Sequence, residues 1–243
     1  MFDLLIRGGE VIDGARSRRS KADVGVRGDR IAAVGELSEA DARRVIDAAG
    51  KVVAPGFIDV HNHSDGWLLR TPHLTPKTLQ GFTTEILAAD GISYAPVDEH
   101  TATDWLFYLR SLDGLRLEDY RGWRTLREYL DCIAGRNVQN AAAHVPYANV
   151  RALSCGFGPA APDDFQMRQI QSEIRRAMDE GAVGLSTGLD YIVQFRATTD
   201  ELIAACRPVA EAGGLYATHM RYKIGLLPAL EEAFEIGRRS GVR

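Results

Sequence analysis

Cysteine is scarce in this chain: Cys132, Cys155 and Cys206 stand far apart, with no Cys-x-x-Cys pair. An odd, sparse set of thiols suits a reducing compartment, so the expected location is the cytoplasm. Long hydrophobic runs are missing too. No window approaches the length of a membrane span, and residues 1–9 lack the charged start and apolar stretch of an export signal. Nor is there an excess of positive charge. The net charge is −4 over 243 residues, which argues against a nucleic-acid or anionic-membrane partner. The small basic cluster Arg16, Arg18, Arg19 and Lys21 reads as a solvated loop. What remains, 45% hydrophobic and 26% charged residues, describes an ordinary globular protein.

The first fifty residues are rich in short β-type runs, at 4–7, 10–12, 23–26 and 30–34. Turn signals at Gly8-Gly9, Asp13-Gly14 and Gly28-Asp29 separate them. Runs at 45–47 and 51–53 complete a small sheet. Residues 1–54 are therefore expected to form the N-terminal part of a β-sandwich domain, with a boundary at Pro55-Gly56.

After Pro55 apolar strands alternate with helices. The strands are expected at 57–61, 83–89, 140–145, 182–186 and 215–219. Helices are expected to start at Pro76 and to span 101–112, 123–134 and 163–180, the last capped at Asp163 or Asp164. Another runs from a cap at Thr198 or Thr199 to Gly213-Gly214, and a final one covers 227–239. Five strand–helix units in series predict a parallel sheet with right-handed crossovers. The fold class is thus α/β, a (β/α)₈ TIM barrel with active-site residues at strand C-termini. Eight units take about 250 residues, so 55–243 is expected to hold about five of them in an N-terminal fragment. An open doubly wound sheet with a β appendage is the alternative.

The strongest chemical signal is Pro55-Gly56-Phe57-Ile58-Asp59-Val60-His61-Asn62-His63. Residues two apart on a strand share a face, which sets His61 and His63 about 7 Å apart on one side of the strand's end. Imidazole pairs of this kind suit a divalent metal. His219 closes the fifth strand, and a barrel brings all three histidines to one rim. His73, His100 and His144 read as loop or core residues, and Cys155 as a buried structural thiol.

Three further segments narrow the reading. They are Gly81-Phe82-Thr83-Thr84 running to Gly91-Ile92-Ser93-Tyr94-Ala95-Pro96, Gly184-Leu185-Ser186-Thr187-Gly188-Leu189-Asp190-Tyr191, and Ala217-Thr218-His219-Met220-Arg221. With the histidine motif they resemble the amidohydrolase superfamily, and within it the N-acyl-D-amino-acid deacylases (D-aminoacylases), over essentially the whole chain. The resemblance implies a β-sandwich joined to a metal-dependent TIM barrel. It also implies one or two divalent ions, zinc first, and hydrolysis of the N-acyl group from a small-molecule N-acyl-D-amino acid.

By position, His61 and His63 match that family's strand-one pair and His219 its strand-five ligand. Asp90 stands where the family carries a metal-binding cysteine. A carboxylate binds zinc through oxygen at about 2.0–2.2 Å and is a harder donor than thiolate. Asp90 is therefore expected to bridge a different or second metal, or to mark a divergent activity; capping the turn at Gly91 is the alternative. Tyr191 and Arg221 are expected to contact substrate carboxylate or acyl oxygen, and Asp65 to orient a metal histidine or serve in a turn. The resemblance puts a strand-six histidine, a strand-eight acid/base aspartate and a substrate-gripping guanidinium beyond Arg243, so this fragment is expected to be inactive alone. The alternatives are a cyclic amidase of the dihydroorotase or hydantoinase type, or a non-catalytic homologue. Self-association is allowed but not required.

Overall fold

The computed structural model describes residues 1–37, 41–73 and 75–243. The chain divides into two compact units, Met1–Gly56 and Phe57–Arg243.

The first unit is one mixed sheet of β1 (Phe2–Val11), β2 (Ser20–Arg27), β3 (Arg30–Gly35), β4 (Ala42–Asp47) and β5 (Val52–Val53). Its order is β3-β2-β1-β4, with β5 also paired to β1. β1, β2 and β3 pair antiparallel, whereas β4 and β5 run parallel to β1. The Gly8-Gly9 pair corrects the expectation of a hairpin turn. It lies inside a single strand, at a register shift between Ile6 and Gly9, with Gly8 at φ +73°. Glycine takes this left-handed conformation without a Cβ clash, so the pair bends the strand rather than reversing it. Phe2, Leu5, Val24 and Ala48 are the unit's buried apolar residues.

In the second unit, β6 (Phe57–Asp59), β7 (Phe82–Leu87), β8 (Asn140–Pro146), β9 (Gly184–Gly188) and β10 (Leu215–His219) form a parallel sheet in sequence order, curled as a half-barrel. The connecting helices are α1 (Trp67–Arg70), α2 (Thr75–Thr78), α3 (Ala102–Leu109), α4 (Leu126–Ile133), α5 (Tyr147–Cys155), α6 (Asp164–Asp179) and α7 (Thr199–Glu211), and α8 (Leu226–Ser240) follows the last strand. Leu87, Ala143, Val145 and Leu185 from the strands join Trp105, Ile170, Ile174 and Ile203 from the helices in one core. Burying each such side chain contributes about 1.5–3 kcal/mol.

Local signals set the helix starts. Thr125 and Asp163 accept hydrogen bonds from the backbone N–H of Glu128 and Gln166 in capping boxes, and Thr198 accepts from Glu201 N–H. Among the described residues no helix is long and apolar enough to cross a membrane.

Helix α5 was not expected, because it has no polar face for periodicity to reveal: six of its nine residues are buried, Asn149 and Arg151 among them. Arg151 survives burial by pairing. Its Nε donates to Glu201 Oε1 at 2.7 Å, and its Nη2 to the Ala160 carbonyl at 2.7 Å. Tyr147 donates its hydroxyl to the same glutamate oxygen at 2.5 Å. Removing one member of a buried ion pair strands the other. Glu201→Ala is expected to cost about 3–5 kcal/mol, measured by chemical denaturation; a loss below 1 kcal/mol would refute the pairing.

Candidate metal centre

The histidine pair does not ride on the strand. β6 ends at Asp59, and His61 and His63 lie in the turn that follows. Alternation along a strand therefore does not place them; Asn62 does. Its buried amide donates to the Ile86 carbonyl at 3.2 Å and to that of Asp59 at 3.3 Å, and its oxygen accepts from Ser64 N–H at 3.0 Å. The two rings that flank it meet edge to face, 5.9 Å apart. Both aim at one carboxylate: His61 Nε2 lies 3.5 Å from Asp90 Oδ1, and His63 Nε2 3.3 Å from Asp90 Oδ2.

Asp90 reaches them from a 3₁₀ turn, Ala89–Gly91, just past β7. Ala88, Asp90 and Gly91 all have positive φ, at 60°, 57° and 70°. Only glycine, and less readily aspartate, adopts that region at low cost. Side chains from elsewhere hold the turn. Asp65 Oδ1 accepts from Ala88 N–H at 3.0 Å, and Ser186 donates its hydroxyl to the Ala88 carbonyl at 2.5 Å. Gly91 N–H donates to Ser186 Oγ at 3.1 Å, and Gln194 Nε2 to the Asp90 carbonyl at 2.8 Å. The aspartate side chain is only 4% exposed.

His219 closes β10 and approaches the same carboxylate, with Nδ1 4.0 Å from Asp90 Oδ1. Tyr191 packs against it, tilted at 53° with 4.8 Å between centroids, and brings its hydroxyl 3.4 Å from Nδ1. Arg221 goes elsewhere. Its Nε donates to Glu232 at 3.2 Å, Nη2 to the Ala197 carbonyl at 2.7 Å, and Nη1 to the Phe195 carbonyl. That guanidinium ties the 189–197 loop to α8. Asp65 does not touch a histidine either; besides Ala88 it accepts from the Ser93 hydroxyl at 2.5 Å. The carboxylate beside His63 is Asp113, with Oδ1 3.2 Å from Nδ1. It sits in the 110–116 loop, outside every motif, and no local pattern marks it.

Among the described residues His61, His63 and Asp90 offer ligand atoms within 4.8 Å of one another. Asp90 Oδ1 is buried with no hydrogen-bond partner. An orphaned carboxylate oxygen between imidazole nitrogens is a donor set that fits zinc. Burial pushes the Asp90 carboxyl up, but the His63 hydrogen bond and the charges of His61, His63 and His219 outweigh it and hold it below the ordinary value. His63 is pushed up to about 10, first by Asp113 and then by Asp90.

Residues 44–240 match the amidohydrolase family. The chain belongs to that family. It is 43% identical over 99% of its length to a D-aminoacylase of Alcaligenes xylosoxydans xylosoxydans, of which it covers 49%. A D-aminoacylase structure with a binuclear metal centre superposes with a TM-score of 0.85 at 40% identity, covering 100% of this chain and 50% of that one. An N-acyl-D-glutamate deacylase from Bordetella bronchiseptica, complexed with zinc and a phosphonate inhibitor, gives 0.89 at 39% identity, covering 99% and 50%. The chain thus spans about half the length of the relatives it matches.

Two outcomes follow for this amidohydrolase. A Cβ on Gly91 meets Gln194 Oε1 at 2.4 Å and Thr187 Cα at 2.8 Å, on a backbone already at φ +70°. Gly91→Ala is expected to cost about 2 kcal/mol or more in denaturant unfolding; a neutral result would refute the clamped turn. His144, on β8, alternates with the core residues Ala143 and Val145 and is 6% exposed. Burial, then the His61 charge, pushes it down to about 4. A histidine held neutral stabilises the fold above its ordinary value of 6.5, and that contribution is lost as pH falls from 6.5 to about 4. His144→Leu is expected to flatten unfolding free energy over this window; an unchanged slope counts against the assignment.

Proposed function

We propose that the protein is a metal-dependent amide hydrolase that removes the N-acyl group from N-acyl-D-amino acids. The observation that carries this is Asp90, whose buried carboxylate is approached by His61, His63 and His219. Its support is the likeness, over nearly the whole chain, to deacylases acting on D-amino acid derivatives.

In this reading His61, His63 and Asp90 would hold a zinc ion, with His219 at the same carboxylate. Bound zinc supplies Lewis acidity and a water whose pKa falls towards neutrality. Asp90 keeps its carboxylate ionised for this task. Tyr191, whose hydroxyl burial pushes above its ordinary value, stays protonated and donates a hydrogen bond to the acyl oxygen beside His219. Arg221 serves the site by fixing the loop that carries Tyr191. The substrate is a small molecule. All three cysteines are free thiols, which supports a cytoplasmic setting.

The test uses a protein of the relatives' full length. Zinc is expected to copurify, and N-acyl-D-amino acids to be hydrolysed in preference to their L-enantiomers and to cyclic ureides. His61→Ala and His219→Ala are each expected to exceed the roughly 100-fold cost of losing an outer-shell partner. Hydrolysis of the cyclic ureide alone would replace the deacylase reading with a cyclic amidase. A protein that neither holds nor takes up metal would end the enzyme reading.

A further inference from the structure

Two of the three histidines at the centre use both ring nitrogens in the same way. His63 turns Nε2 towards Asp90 and Nδ1 towards Asp113 Oδ1 at 3.2 Å. His219 does the reverse, with Nδ1 towards Asp90 and Nε2 3.5 Å from Asp190 Oδ2. Both outer carboxylates are almost wholly buried, with side chains 1% and 7% exposed. Among the described residues neither Asp113 oxygen nor Asp190 Oδ2 has a hydrogen-bond partner, nor has His219 Nε2, so the facing ring at ion-pair distance is what each carboxylate has. Burying a carboxylate without a partner is costly, so each needs the ring it faces. His61 differs: its side chain is 60% exposed, and Asp90 is the one carboxylate within ion-pair distance of its ring among the described residues.

The geometry points to Asp113 and Asp190 as positioning residues that fix His63 and His219 in opposite tautomers. Asp113 holds the proton of His63 on Nδ1 and leaves Nε2 as the lone-pair donor. Asp190 holds the proton of His219 on Nε2 and leaves Nδ1 free. This inference rests on the metal reading proposed above, since the nitrogens left free are the ones that face Asp90. A carboxylate behind a metal-bound imidazole sets its tautomer and orientation and raises its basicity. Each aspartate comes from a different segment, the loop after α3 and the turn after β9, so each ring is fixed independently. Backbone reinforces the first contact: a Cβ on Gly66 meets the Asp113 carbonyl at 2.3 Å, which locks the Asp113 loop against the turn after His63.

The experiment measures zinc affinity by chelator competition and reads the tautomers by long-range proton–nitrogen NMR of the zinc-loaded protein. Asp113→Asn and Asp190→Asn are each expected to weaken zinc binding about 10- to 100-fold. The wild-type spectrum is expected to show His63 protonated on Nδ1 and His219 on Nε2. Wild-type zinc affinity in both variants, or the opposite tautomers, overturns the inference while leaving the hydrolase reading intact. If a variant does not fold, the wild-type spectrum still decides. A wild-type protein that takes up no zinc overturns the metal reading, and this inference with it.

Discussion

Everything at the centre depends on the left-handed turn after β7. Ala88 and Asp90 sit where non-glycine residues pay a steric cost of about 1–2 kcal/mol each, and the surrounding hydrogen bonds make that conformation the stable one. Asp65 takes the Ala88 amide, Ser186 takes both the Ala88 carbonyl and the Gly91 amide, and Gln194 takes the Asp90 carbonyl. With four main-chain groups of the bend engaged by side chains from outside it, Oδ1 of the Asp90 side chain is left without a hydrogen-bond partner. Strain of this sort persists where the surroundings over-determine it, and such places are commonly functional.

The turn also explains why the half-barrel needs its crossovers. Ser186 lies on β9, Asp65 follows β6 and Gln194 lies beyond β9, so three segments distant in sequence fix one bend. The parallel sheet sets their spacing: His219 pairs with Gly188 in the β9–β10 register, and Val145 with Leu185 in the β8–β9 register. A helix-packed sheet carries this precision because its core side chains interdigitate and resist displacement. Arg221 plays a similar part, tying the Phe195 and Ala197 carbonyls to Glu232.

What could be read from residues alone follows from range. Caps at Asp163 and Thr198 and the bounds of β10 were legible because each rests on neighbours within a few positions. Gly8-Gly9 misled because a bulge and a hairpin make the same demand for positive φ, and which one forms depends on pairing with β2. Helix α5 was hidden because its charge, Arg151, is buried against Glu201 fifty residues away. Asp113 was invisible for a related reason: an aspartate in a loop carries no mark of the imidazole it will face. Arg221 lay in the recognised segment, but its commitment to Glu232 and the 195–197 carbonyls belongs to the folded state.

The charges around His63 give the centre its internal logic. With no metal bound, an imidazole pushed up to about 10 is a cation at neutral pH, one proton facing Asp113 and the other facing Asp90. That cation offsets two buried carboxylates that are costly to leave uncompensated. A divalent ion at the Asp90 face takes over the role of one of those protons and supplies more charge. The proton towards Asp113 need not move, because it lies on the far nitrogen. Metal and proton therefore compete for Nε2 alone, and the folded site is stabilised electrostatically in both states. Occupancy then becomes a matter of pH and metal supply acting on a site already shaped by the turn after β7.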